Sequence, residues 1–340
     1  MLRAALDEQA RPLLSPHAVT LADEDGIMVV ADDTAYSFRS TNAELMRTVL
    51  PHLDGSLTVG DLAGLAGVSW EEISASLTPL AMDNWLVDET AVHRARQTQE
   101  FFDAYRALCE FWKKDIFTHA FWQILASGKA SRELVLGWLV EFYHYVDAAN
   151  EHMPVSAANC RDDDTIQLWL AQHYTEEYDH NQIFLDGLVK TGLEENQVRS
   201  SPPLASTRAV INYITEVASS DTIGYAAMHG IFQTPGSSES WAKIERFYEF
   251  LLTNYEFGAP VLKAFRDHAA LDAELGHDDL VFSRICARVG RFSEERVDRI
   301  LRCTRGLVEQ FILYFDGILD YYGSPDASLP RPRLDVRGLL

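Results

Sequence analysis

The chain has 340 residues, enough for two domains, and its 47% hydrophobic and 24% charged residues can bury a core and exclude a disordered tail. No apolar run reaches the ~18–20 residues of a membrane span. The four cysteines (Cys109, Cys160, Cys286, Cys303) form no CxxC, so neither a disulfide framework nor a structural zinc site is indicated. Twenty-nine bases against fifty-one acids give −22 and a pI near 4.8, which excludes nucleic acid and acidic membrane surfaces as partners. Acids at Asp7 and Glu8 stand where a signal peptide would be apolar, and the expected location is a reducing cytoplasm.

In chain order, His17–Ala22, Gly26–Ala31 and Thr34–Arg39 are rich in β-branched and apolar residues and are separated by acidic turns, which predicts a small meander. Thr41 or Asn42 can cap a helix through Leu53 that ends at Asp54-Gly55. Thr58 precedes a short helix over Val59–Ala66 that stops at Gly67. Ser69 with Glu72 is a capping box for a helix through Met82, in which Pro79 is expected to bend or shorten the end. Trp85-Leu86-Val87 reads as the first strand of a wing. This order describes a winged helix-turn-helix, whose ordinary role is DNA binding. Residues 1–90 carry fifteen acids and four bases, however, and the would-be recognition helix shows Glu71 and Glu72 with no Lys or Arg.

The run Leu50-Pro51-His52-Leu53-Asp54-Gly55-Ser56-Leu57-Thr58-Val59-Gly60-Asp61-Leu62, with the closing segment from Leu80 to Val87, resembles the precursor-peptide recognition domains of natural-product biosynthesis. These include the small D protein of pyrroloquinoline quinone biosynthesis. The resemblance covers about residues 15–90. It implies that a precursor or carrier peptide adds as a strand to the sheet edge, a mode that relies on main-chain hydrogen bonds. A winged-helix module used only for packing or dimerisation is the plainer alternative.

Residues 91–97 read as a connector, and residues 98–322 as a helical bundle with apolar residues at three- and four-residue spacing. Seven or so long helices are expected: Phe101–Phe117, Ser131–Asn150, Asp164–Thr191, Leu204–Phe232, Ser238–Tyr255, Pro260–Val289 and Ser293–Tyr322. Residues 323–340 form a tail. The fold class is thus mainly α, a seven-helix bundle preceded by a small α+β domain.

Imidazoles and carboxylates recur at helix-face spacings within the bundle. Glu177 and His180 are i,i+3, with His173 one turn earlier; His268 and Asp272 are i,i+4; Glu141 and His144 are again i,i+3; His229 stands alone. Helices that point such groups into one core build carboxylate-held metal centres. The same spacing also arises on solvated faces, and a lone histidine is commonly a core residue.

The segment His173-Tyr-Thr-Glu-Glu-Tyr-Asp-His180 with Leu188 to Leu193, and the segment Phe265-Arg-Asp-His268-Ala-Ala-Leu-Asp272, are similar to haem-oxygenase-like metal (di-iron) oxidases. That superfamily also holds pyrroloquinoline quinone synthase and thiaminase-like proteins, and the resemblance covers roughly residues 101–289. It implies a seven-helix bundle in which Glu177, His180, His268 and Asp272 are metal ligands, with His229 and His277 as optional ones. Two departures stand out. Leu275 occupies the place of the family's second late histidine, and His277 could ligate only if the helix distorts around Gly276. The middle-helix glutamate is replaced by His229. A mononuclear site, a different metal, a rebuilt His229-His268-Asp272-Glu177-His180 set and a metal-free oxidase therefore stay open, with Tyr178 and His229 as the expected catalytic side chains. Nitrogen and oxygen donors without thiolate suit one or two Fe ions, or Mn, with O2 as co-substrate.

Both resemblances together imply an oxygen-dependent oxidase or oxygenase that modifies a peptide, or an amino acid linked to one, in a ribosomal natural-product pathway. The rivals are an oxidase of a free small molecule, a thiaminase-like hydrolase, and a non-catalytic peptide-binding partner with a decayed metal site. A homodimer is compatible with the sequence.

Overall fold

The structure is a computed structural model and describes residues 6–22, 26–31, 34–161, 163–233, 238–274 and 281–333. The chain falls into two compact units, one of Met1–Asp115 with Cys286–Val297 and the other of Ile116–Ile285 with Asp298–Leu340. Most of the first long helix thus groups with the N-terminal residues. So does the 286–297 segment, because Phe101 packs edge-on against Phe292 at 5.2 Å and Thr98 Oγ1 donates to the Gly290 carbonyl.

In the first unit, β1 (Pro12–Leu14) precedes a meander of β2 (Val19–Ala22), β3 (Gly26–Ala31) and β4 (Thr34–Arg39). The meander is antiparallel with β3 in the middle, and Ile27, Val29 and Ala31 alternate into the core. Three helices follow: α1 (Thr41–Val49), α2 (Val59–Ala66) and α3 (Trp70–Met82). Their Met46, Leu62, Ile73, Leu77 and Leu80 close over the sheet. Thr58 and Ser69 each form a full capping box, with Asp61 and Glu72 respectively. Gly67 terminates α2 at φ +69°, a conformation that costs glycine little. At α1 neither Thr41 nor Asn42 caps. The N-cap position is Ser40 at φ +53°, with no side-chain cap bond, because the strand runs straight into the helix there.

Pro79 sits inside α3 without ending it. The strand after α3 is β5 (Leu86–Asp88). It pairs antiparallel with β1 instead of opening a hairpin with a following strand, and the chain turns at once into α4 (Ala91–Arg94). The motif around residue 54 is structural in this unit. Leu53 and Leu62 are core, Asp54 Oδ1 accepts from Ser56 N, Gly55 has φ +78°, and Leu13 bridges to Asp54.

α5 (Thr98–Phe117) leads out of the first unit. Helices α6 (Ala120–Ala126), α7 (Arg132–Asp147), α8 (Ala149–Asn159), α9 (Asp164–Glu177), α10 (His180–Lys190), α11 (Glu195–Ser200), α12 (Ala205–Ser220), α13 (Thr222–Gln233), α14 (Ser238–Asn254), α15 (Ala259–Glu274), α16 (Val281–Val289) and α17 (Glu294–Tyr322) follow. Several of the long helices expected from periodicity are pairs. Ser131–Asn150 breaks at Ala148, Asp164–Thr191 at Tyr178-Asp179, and Leu204–Phe232 at Asp221. Pro154, expected as a break, lies within α8.

In the helical unit α7 is buried nearly all round, α8 packs on α9 and α12, and α10 packs on α7 and α15. The α10–α15 approach is close. A β-carbon on Gly187 would lie 2.8 Å from the Val261 Cα. Gly187 is seven residues after His180 and Val261 seven before His268, so each pair shares one helix face. No helix among the described residues is long and apolar enough to cross a membrane.

Candidate metal centre

The break between α9 and α10 shapes the site. Glu177 is the last residue of α9 and His180 the first of α10. The two-residue turn keeps their side chains together, with His180 Nδ1 2.6 Å from Glu177 Oε2. His268, on α15, brings its Nε2 to 2.8 Å from the same His180 Nδ1. An imidazole nitrogen has one in-plane valence, yet here a carboxylate oxygen and a second imidazole nitrogen both crowd it. One donor atom from each of Glu177, His180 and His268 lies within 4.8 Å of the other two, the one such group among the described residues. Two imidazoles and one carboxylate around a common point are the donor set of non-haem iron(II) oxygenases, so the residues fit such a metal. The C-terminal end of α9 carries partial negative charge toward the same point and favours a cation there.

Glu177 also faces His173, whose Nε2 lies 3.7 Å from Oε1. Burial by itself would raise the Glu177 carboxyl, but the hydrogen bonds and charges of His173 and His180 outweigh it and hold the group well below the usual carboxylate range. The acid is therefore ionised and ready to ligate. Behind it, Asn181 donates to Asp147 Oδ1 at 2.6 Å and fixes the first turn of α10. Phe184 lies against the His268 ring and is itself packed edge-on by Phe142 and Phe265, which makes that side apolar.

The remaining expected residues fall elsewhere. His229 is not in the group of three. Its ring lies 5.5 Å from that of His173 and 5.9 Å from that of His152, beside a cavity of about 10 Å³ lined also by Tyr225, Leu170 and Phe282. Tyr178 is 59% exposed and packs edge-on against Tyr174, so it does not enter the site. Asp272 lies on α15 one turn beyond His268, its side chain outside the described residues; Leu275, Gly276 and His277 lie outside them altogether.

Glu141 and His144 serve the scaffold. Glu141 accepts from Leu204 N and Tyr322 OH, and His144 contacts Ser201 Oγ. A larger cavity of about 340 Å³ lies in the first unit among Val92, Phe101, Arg291 and Phe292.

Three further side chains lie around the centre; Tyr225, one turn before His229, is marked by the sequence as a pocket aromatic, whereas His152 and Tyr145 escape sequence patterning. His152 is buried on α8, and its Nδ1 is 2.9 Å from Tyr225 OH. Tyr145 on α7 and Tyr225 on α13 both feel the Glu177 charge, and burial raises both phenols above their ordinary value. They come from three helices and share no spacing, so only the tertiary structure assembles them.

Residues 106–245 match the TENA/THI-4/PQQC family. Among solved structures, a domain of unknown function with a haem-oxygenase-like fold from Shewanella denitrificans is similar with a TM-score of 0.55 and 17% identity, covering 66% of this chain and 94% of that one. A TenA homologue from Pseudomonas syringae pv. tomato (TM-score 0.49, 14% identity, 63% of this chain and 93% of that one) and one from P. horikoshii (TM-score 0.47, 16% identity, 66% and 99%) are also similar. No curated protein matches. The helical part of this chain therefore has a haem-oxygenase-like fold, within which residues 106–245 carry the TENA/THI-4/PQQC pattern.

Proposed function

We propose that this protein is a non-haem iron oxidase or oxygenase that uses dioxygen to modify a peptide, or an amino acid attached to one, with the N-terminal unit holding the peptide's leader. The observation that carries the oxidase reading is the convergence of Glu177, His180 and His268 on one part-buried point. These three residues would hold the ion. Bound there, iron(II) would supply the one-electron chemistry and the dioxygen-binding capacity that organic side chains lack.

The chain's own residues do the rest. His173 orients the Glu177 carboxylate through Oε1 and leaves Oε2 toward the imidazoles. Phe184, backed by Phe265, keeps water from the His268 side. Burial holds the Tyr145 and Tyr225 phenols protonated, with the Tyr225 hydroxyl on His152 Nδ1.

The peptide reading is supported by the antiparallel meander followed by three helices and by the acid-rich composition of the first ninety residues, which favours a basic extended partner. A cysteine hydrolase is disfavoured, since burial pushes the Cys109 and Cys286 thiols up to about 12 and away from the thiolate a nucleophile needs.

The test is anaerobic loading with iron(II), metal analysis, and dioxygen uptake with a basic leader-bearing peptide and its leaderless form. Bound iron that is lost in Glu177→Ala and His268→Ala is the expected result. Wild-type protein that binds no iron would overturn the oxidase reading. Equal uptake with and without the leader would overturn the peptide reading alone.

A further inference from the structure

A line of rings leads inward from the carboxylate. His173 Nε2 is 3.7 Å from Glu177 Oε1, and the His173 and His229 rings are 5.5 Å apart. The His229 and Tyr225 rings are 5.4 Å apart, and the Tyr225 hydroxyl meets His152 Nδ1 at 2.9 Å. Tyr225 and His152 are each 2% exposed. A phenol and an imidazole hydrogen-bonded to each other, sealed from water and close to an oxidising centre, are the parts of a proton-coupled electron donor. We propose that Tyr225, with His152 as its proton acceptor, is a redox-active tyrosine serving the metal centre. This rests on the oxidase reading above.

The step balances as follows. Glu177, His180 and His268 would hold the iron(II), and dioxygen would serve as the oxidant. One electron leaves the Tyr225 phenol and reduces that oxidant by one equivalent. The phenolic O–H bond breaks and an N–H bond forms at His152 Nδ1, leaving a neutral tyrosyl radical and an imidazolium.

Geometry favours this pair over its neighbours. Tyr145 also feels the Glu177 charge, but the hydroxyl paired with an imidazole is that of Tyr225. Burial lowers the basicity of His152 to about 3, so the imidazole is neutral at rest, and in its Nε2–H tautomer Nδ1 accepts from the Tyr225 hydroxyl. A one-electron-oxidised phenol is a far stronger acid than an imidazolium, so the proton still moves to His152. The same weak basicity returns the proton readily when the electron comes back, which suits a reversible relay.

The experiment mixes iron(II)-loaded, full-length protein with dioxygen in the absence of any organic substrate, freezes the sample at successive times, and records electron paramagnetic resonance. Ring-deuterated tyrosine separates tyrosyl from tryptophanyl signals. A tyrosyl signal is expected in wild type and in Tyr145→Phe, and loss of it in Tyr225→Phe at unchanged iron content. His152→Asn keeps a hydrogen-bond acceptor at the Nδ1 position but removes the base, and loss of the signal is expected there too. A signal that survives Tyr225→Phe, or that vanishes in Tyr145→Phe, overturns the assignment, and a signal that survives His152→Asn overturns the proton acceptor. Iron bound and dioxygen consumed with no radical sinks this proposal and leaves the oxidase reading standing. Absence of bound iron sinks both.

Discussion

Replacing Gly187 by alanine tests how two helices present the imidazoles of the centre. The new β-carbon would sit 2.8 Å from Val261 Cα, 3.0 Å from its Cβ and 3.3 Å from its Cγ2. Ordinary carbon–carbon contact is about 3.5–4.0 Å, so the shortfall is roughly 1 Å. The nearest obstructing atom is backbone, so side-chain rotation cannot relieve it and α10 must move from α15. Overpacking of this kind costs about 1–3 kcal/mol, while alanine gains up to ~1 kcal/mol in helix propensity, leaving a net loss of about 0–2 kcal/mol. The effect on the centre should exceed the effect on stability. The substitution lies about 10 Å along the helices from His180 and His268, on the same faces, so their 2.8 Å approach opens with the helices.

Iron(II) affinity, measured by anaerobic competition with a chelator, should fall roughly 10–100-fold, the range typical when groups supporting metal ligands are disturbed. Gly64→Ala is the control. Gly64 lies on the exposed face of α2 with nothing within 4 Å of a new β-carbon, so stability should rise by up to ~1 kcal/mol with affinity unchanged. Wild-type affinity in Gly187→Ala would refute the idea that this close approach sets the ligand spacing.

Substitutions at two further positions probe the scaffold. Burial lowers His144 to about 4, so the folded protein resists protonation that the unfolded chain accepts below about 6.5; its stability contribution is complete above that value and is lost as pH falls toward 4. Between pH 7 and 5 this loss is about 2 kcal/mol, and urea unfolding of His144→Gln should show a shallower pH dependence by that amount. Glu141→Leu leaves Leu204 N and Tyr322 OH without their buried acceptor and should cost roughly 2–5 kcal/mol in urea unfolding, with Glu141→Gln milder because its amide oxygen still accepts one of the two bonds.

Local chemistry was the part of the fold that could be read from residues alone. The Ser69 capping box, the start of α2 after Thr58, its stop at Gly67 and the strands Gly26–Ala31 and Thr34–Arg39 rest on neighbours within a few positions, and they are found where expected. The pairing of β1 with β5 joins three-residue strands some seventy positions apart, too short for an alternation to register. Periodicity also ran through Ala148, Tyr178-Asp179 and Asp221, since a helix that restarts after one or two residues keeps its apolar spacing. At the centre, spacing marks Glu177 and His180 as neighbours, and it gives His268 and Asp272 a common face. It also puts His173 one turn before Glu177, where the structure has it, but could not reveal that His229 stands outside the group of three, nor that Tyr178, one residue from a ligand, turns outward at the helix end. His152 sits in an unremarkable run before Pro154, and its partner Tyr225 comes from a helix seventy-three positions later.

The interruption at Tyr178-Asp179 has a mechanical consequence. A cation gripping Glu177, His180 and His268 would rivet together the tail of one helix, the head of the next and a third that crosses them, closing a joint the backbone leaves unspliced. Because such an ion binds the folded chain and not the unravelled one, saturating it a hundredfold above its dissociation constant should add about 2.7 kcal/mol of resistance to unfolding. Heat tolerance would then rise and fall with metal supply, and a simple melting curve would become a gauge of how full the centre is.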